Sequence, residues 1–126
     1  MTAADAVWDV VVVDDDALVL KLIERRLRGS DLSLKTFTAP DDALVWLRGH
    51  RARLLLVDLR MRPMDGVELL ETLEAEGRLR STRYCVCTSA LPTKEVSVAI
   101  ERVGASVRLK DEILAPSGIE RLLDTE

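Results

Sequence analysis

Two uninterrupted apolar runs, Val10-Val11-Val12-Val13 and Leu54-Leu55-Leu56-Val57, each stop at aspartate, the first at Asp14, Asp15 and Asp16 and the second at Asp58. A strand with one wet face alternates polar and apolar residues, so runs without alternation mark strands buried on both faces of a parallel sheet. Acid at the carboxyl ends of two such strands lies where open parallel sheets hold their ligands. Three or more carboxylates crowded there repel one another unless a divalent cation joins them, and oxygen-only ligands suit magnesium best. An aspartate beside such a cation can accept a phosphoryl group.

The chain can build one core of this kind and no second domain: it has 126 residues, of which 48% are apolar. Eighteen Lys and Arg against 22 Asp and Glu leave a net charge of -4 with no basic tract, which argues against nucleic acid or an anionic membrane as a direct partner. No charged and apolar leader opens the sequence and no apolar run reaches the roughly 18 residues of a membrane span, so a cytoplasmic location is expected. Cys85 and Cys87 stand two apart on one predicted strand, where they share a face and are poorly placed to bond to each other. With His50 the single histidine, they read as small core residues rather than metal ligands.

Short apolar strands alternate with amphipathic helices five times, the pattern of a doubly wound α/β fold with helices on both faces of a parallel sheet. Strands are expected at about residues 8–13, 32–37, 53–58, 83–88 and 106–109. Val19, Ile23 and Leu27 give the first helix its i, i+4, i+8 stripe; Ala43, Leu44 and Leu47 follow a start at Pro40; Val67, Leu70 and Leu73 follow Gly66. Val96, Ala99, Ile100 and Val103 mark a fourth helix stopped by Gly104. Ser117 and Glu120 have the spacing of a capping box before Ile119, Leu122 and Leu123, so a short last helix is expected.

Four strand ends then converge on one edge, carrying Asp14 and Asp15, Asp58, Thr88 with Ser89, and Lys110. Singly, each has a plainer reading: a helix cap, a loop residue, a strand terminus, a solvated lysine. Together they form a chemically complete set, in which acids hold magnesium, Thr88 donates to a phosphoryl oxygen and Lys110 neutralises another.

This set, in this order, resembles the receiver domain of bacterial response regulators, the CheY-like family, across essentially the whole chain. The spacing agrees, with Asp58 thirty residues before Thr88 and 52 before Lys110, and Met61, Met64, Asp65 and Gly66 also match. The resemblance implies a flavodoxin-like (βα)5 fold with strand order 2-1-3-4-5. It implies Asp58 as phosphoacceptor, with Thr88 and Lys110 as its catalytic partners. It further implies magnesium, with manganese able to replace it, held directly by Asp15, Asp58 and the backbone carbonyl of Arg60 and through water by Asp14. The partners it implies are a histidine kinase or histidine phosphotransfer protein and an output protein or effector domain, a homodimer being a further candidate. It implies a phosphoacceptor switch rather than a metabolic enzyme.

Several positions depart from the family pattern. Pro63 falls one residue later than usual, after Met61-Arg62. Lys110 is followed by Asp111 in place of proline, so a trans bond and a rearranged loop are expected, a non-proline cis bond costing roughly 3 kcal/mol. Val107 stands where the family carries an aromatic switch residue, and Ala90, two past Thr88, offers no polar group to position water. Arg60, beside the site, is expected to shield the acyl phosphate. Three other readings compete: a receiver-like interaction module with weak switching, a haloacid-dehalogenase-type phosphohydrolase using Asp14 and Asp16, and a flavodoxin-like nucleotide binder. Three aspartates would repel the nucleotide of the last.

Overall fold

The computed structural model describes residues 7–124. Five parallel strands, β1 (Val7–Val13), β2 (Leu34–Phe37), β3 (Arg51–Asp58), β4 (Arg83–Thr88) and β5 (Ser106–Leu109), form one sheet in the order β2-β1-β3-β4-β5. The two apolar runs pair directly, Val10 to Val13 opposite Leu54 to Val57. Val10, Val11, Val13 and all four residues of the second run are fully buried. Each such side chain contributes about 1.5–3 kcal/mol on leaving water, which makes β1 and β3 the spine of the domain.

Helices cover both faces. The alternation of the pleat sends Val11, Val13, Leu55 and Val57 toward α2 (Pro40–Leu47), α3 (Gly66–Ala75) and α4 (Lys94–Arg102). Val10, Val12, Leu54 and Leu56 face α1 (Ala17–Leu27), α5 (Lys110–Leu114) and α6 (Gly118–Asp124), together with Cys85 and Cys87. Both cysteines are free and buried, as two small core residues should be. Because the chain winds from β1 outward to β2 and then back across to β3, the loops after β1 and β3 part at their carboxyl ends and leave a crevice there.

Local chemistry fixes the helix starts that border this crevice. Asp16 caps α1, its side chain accepting from the Leu18 N–H at 3.0 Å. Asp65 and Glu68 form a reciprocal capping box on α3, and Thr93 caps α4. Gly66 is the residue that lets α3 start against the site, since a Cβ there would collide with the Asp58 carbonyl oxygen.

The carboxyl end of the chain differs from the sequence reading. The Lys110-Asp111 bond is trans, as expected, the cis bond of the described residues being Arg62-Pro63. Lys110 opens a five-residue helix rather than a rearranged loop, since Glu112 accepts from the Leu109 N–H at 3.2 Å and closes the first turn. The expected short last helix is present as α6, and α5 is a further helix before it. Ser117 takes a φ of 62° between them, outside the extended conformation of a capping residue, so the Ser117 capping box is not formed and α6 begins at Gly118. Two boundaries also move: β2 starts at Leu34, past Leu32, and β3 already at Arg51. Leu20 joins Ile23 and Leu27 as the buried stripe of α1, with Val19 at its half-buried edge.

Candidate functional site

Asp14 and Asp58 end adjacent buried strands and are themselves buried, 2% and 7% exposed, while Asp15 is open to solvent. One carboxylate oxygen from each lies within 4.8 Å of the others, which makes a three-acid cluster at the crevice. Lys110 reaches into it from the end of β5. Its Nζ lies 3.0 Å from Asp14 Oδ2 and 3.2 Å from Asp58 Oδ1. The other Asp14 oxygen, Oδ1, accepts the Asp16 N–H at 2.9 Å, so both oxygens of Asp14 are engaged.

Electrostatics follow from this count of charges. Burial first, then the Asp14 charge, raises the Asp58 carboxyl to about 6, against the opposing pull of Lys110 and the Arg60 backbone N–H. Burial works against the Lys110 charge, but Asp14 and then Asp58 outweigh it and hold the ammonium above its usual value. A single lysine cannot offset two buried acids with a third nearby, and the excess negative charge falls on Asp58. Burial also pushes the Cys87 thiol up, with Cys85 and Asp14 adding to the effect, which leaves it unreactive beside the site.

These residues fit magnesium. The donors are three carboxylates whose oxygens already stand close enough to share one small hard cation, and no thiolate or imidazole competes among them.

Thr88 ends β4 at the same edge, where the Leu59 N–H donates to the Cys87 carbonyl at 2.9 Å and ties the loop after Asp58 to that strand. The Thr88 hydroxyl, however, donates to the Ala90 carbonyl at 2.9 Å. Arg60 and Arg62 are exposed and line a groove of about 700 Å³ that runs from Asp15 between α3 and α4, floored by Met61, Val67 and Val96. Val107 lies half-buried on β5, against the core on the α4 side of the sheet.

The structure therefore brings together Asp14, Asp15, Asp58 and Lys110, with Thr88 on the same edge and Arg60 at its rim. Sequence reasoning did not foresee that Lys110 is already engaged with two acids, or that the Thr88 hydroxyl is held by the chain two residues on. The second was legible in principle, since a threonine at a strand end readily bonds to backbone two residues away.

Residues 10–122 match the family model described as response regulator receiver domain. Transcriptional regulatory protein ZraR of Salmonella typhimurium is 29% identical over 117 residues, 93% of this chain and 25% of that protein. DNA-binding transcriptional regulator NtrC of Escherichia coli is 38% identical over 68 residues, 54% of this chain and 14% of that protein. The chain thus spans about a quarter or less of the length of these relatives. Among solved structures, chemotaxis protein CheY4 of Vibrio cholerae superposes with a TM-score of 0.80 at 20% identity, covering 94% of this chain and 97% of that one. A CheY-like receiver domain protein from Methanospirillum hungatei gives 0.78 at 22%, covering 94% and 95%, and at such identities the likeness speaks to the fold.

Proposed function

Since this chain belongs to the response regulator receiver domain family, we propose that it accepts a phosphoryl group on Asp58 from a histidine kinase or histidine phosphotransfer protein and thereby changes its affinity for an output partner. The observation that carries this reading is the juxtaposition of Asp14, Asp15 and Asp58 with Lys110 at one strand edge.

An Asp58 carboxylate oxygen forms the new O–P bond as the bond from phosphorus to the donor imidazole nitrogen breaks. Asp15, Asp58 and the Arg60 carbonyl would hold magnesium, or manganese in its place, directly and Asp14 through water, and the bound cation would supply positive charge to the transferring phosphoryl group. Lys110 gives up part of its contact with Asp58 and neutralises a phosphoryl oxygen. The Thr88 hydroxyl leaves the Ala90 carbonyl to donate to another. That exchange frees the backbone after β4, so the state of Asp58 is transmitted to the start of α4.

The domain is a switch rather than a metabolic enzyme, although it catalyses its own phosphorylation and hydrolysis. It works in the cytoplasm. The relatives named as transcriptional regulators point to an effector acting on transcription as one class of output, reached through protein contact given the net charge of -4. A phosphohydrolase using Asp14 is disfavoured, because that carboxylate is 2% exposed and both its oxygens are already bonded. Incubation with acetyl phosphate and magnesium should add one phosphoryl group, mapped by mass spectrometry to Asp58. Undiminished labelling of Asp58→Asn would overturn the assignment.

A further inference from the structure

Away from the acids, the α1/α5/α6 side of β4 and β5 carries the reverse charge, although Arg108 stands level with Asp58 through Cys87. Cys85 pairs with Ser106 and Cys87 with Arg108 across β4 and β5, and both cysteines face α1, α5 and α6. By the alternation of the pleat, Arg83, Ser106 and Arg108 therefore point to that same face. A cleft of about 670 Å³ opens between the start of β4, β5 as far as Arg108, and the end of α6. Arg53, Arg83 and Arg108 all line it, together with Ser81 and Ser106, and among the described residues no carboxylate does.

Arg83 and Arg108 are half-buried, yet neither takes part in an ion pair among the described residues. Each spends one N–H on a carbonyl, Arg83 Nη1 on Leu122 at 2.9 Å and Arg108 Nη1 on Val107 at 3.0 Å. A guanidinium has five donors, so most of both remain for a ligand. Arg53 is partly neutralised by Asp9 at 3.0 Å. Two uncompensated cations in one concave surface repel each other until an anion joins them, and this occurs in a chain of net charge -4. Arg108 pairs with Cys87, four residues along β4 from Arg83, which is about 13 Å of strand. That separation favours an extended anion over a single phosphate.

We propose that this cleft binds a pyrophosphoryl group, gripped between Arg83 and Arg108 with Arg53 at the rim. Both guanidiniums offer paired donors matched to phosphate oxygens. The site is separate from Asp58 and independent of its phosphorylation chemistry.

The test is an amide chemical-shift titration with inorganic pyrophosphate, ADP and orthophosphate in turn, in 150 mM chloride with EDTA present. Saturable shifts at Ser81, Arg83, Ser106 and Arg108 are expected with pyrophosphate, with orthophosphate at least tenfold weaker. Arg108→Gln should weaken pyrophosphate at least tenfold. Because Arg83 also holds the last turn of α6, Arg83→Lys serves as the second variant, keeping the charge but losing the paired donors, and it should weaken binding as well. Equal affinity for ADP and pyrophosphate would assign the pyrophosphoryl group alone as ligand, and tighter ADP a nucleoside diphosphate. Absence of saturation, equal binding of orthophosphate, unchanged affinity in both variants, or shifts centred on Asp58 and Lys110 would each overturn the proposal.

Discussion

Lys110 stands 3.2 Å from the Asp58 carboxylate before any phosphoryl group arrives, and its side chain is only 16% exposed. The cation that would neutralise an acyl phosphate is thus held in place by the acids it will partly release.

Removing it exposes what it balances. Lys110→Ala leaves Asp14 and Asp58 buried without their cation, and loss of one partner of a buried pair costs about 3–5 kcal/mol. We expect stability at neutral pH, measured by urea unfolding in EDTA, to fall by an amount of that order. Added magnesium should restore more stability to the variant than to the parent, since it no longer competes with an ammonium. Equal gains in both proteins would count against this account.

The raised Asp58 carboxyl makes stability depend on pH. With a folded pKa near 6 against 3.8 for the free group, the folded state holds the proton more tightly than the unfolded state. The contribution is present below about pH 4 and is lost as pH rises through about 6. Asp58→Asn abolishes this slope and should stabilise the metal-free protein at pH 7.5 by on the order of 1–3 kcal/mol. Denaturation curves at pH 4.5, 6 and 7.5 check the sign, and parallel profiles for parent and variant would refute it.

Arg60 should govern how long the phosphoryl group lasts. Its side chain is exposed at the rim of the site and long enough to lie over the acyl phosphate, excluding the attacking water. Arg60→Ala should lose its phosphoryl group severalfold faster, followed by mass spectrometry after removal of the donor. Decay equal to or slower than that of the parent contradicts the role.

Val107 limits the reach of the signal. It is β-branched and stiff at χ1, and it packs half-buried against the α4-side core, so it has no exposed and buried rotamers to exchange. Beryllofluoride, standing in for the phosphoryl group, should shift the amides of Thr88, Ser89, Ala90 and Lys110 strongly and those of β5 weakly. Large shifts throughout β5 and α4 would show that Val107 switches after all.

Hydrophobic patterning by itself determined the sheet. The unbroken apolar runs ending at Asp14 and Asp58 can be satisfied only by burial on both faces, and helical periodicity placed α1 to α4 around them. The order of acid, acid, hydroxyl and lysine at successive strand ends likewise named the site residues, because parallel strands send all their carboxyl ends to one edge. Tertiary structure alone decided how those groups meet. The Lys110 ion pairs and the raised Asp58 carboxyl depend on burial and on charges 44 to 96 residues away in sequence, which no local pattern encodes. The break after Leu114, with Ser117 in the left-handed region, was hidden for a related reason. Its spacing to Glu120 fits a capping box, but the close packing of Gly118 against the Glu112 and Ile113 carbonyls sets the backbone there. The arginine cleft is visible only once register brings Arg83 and Arg108 onto one face.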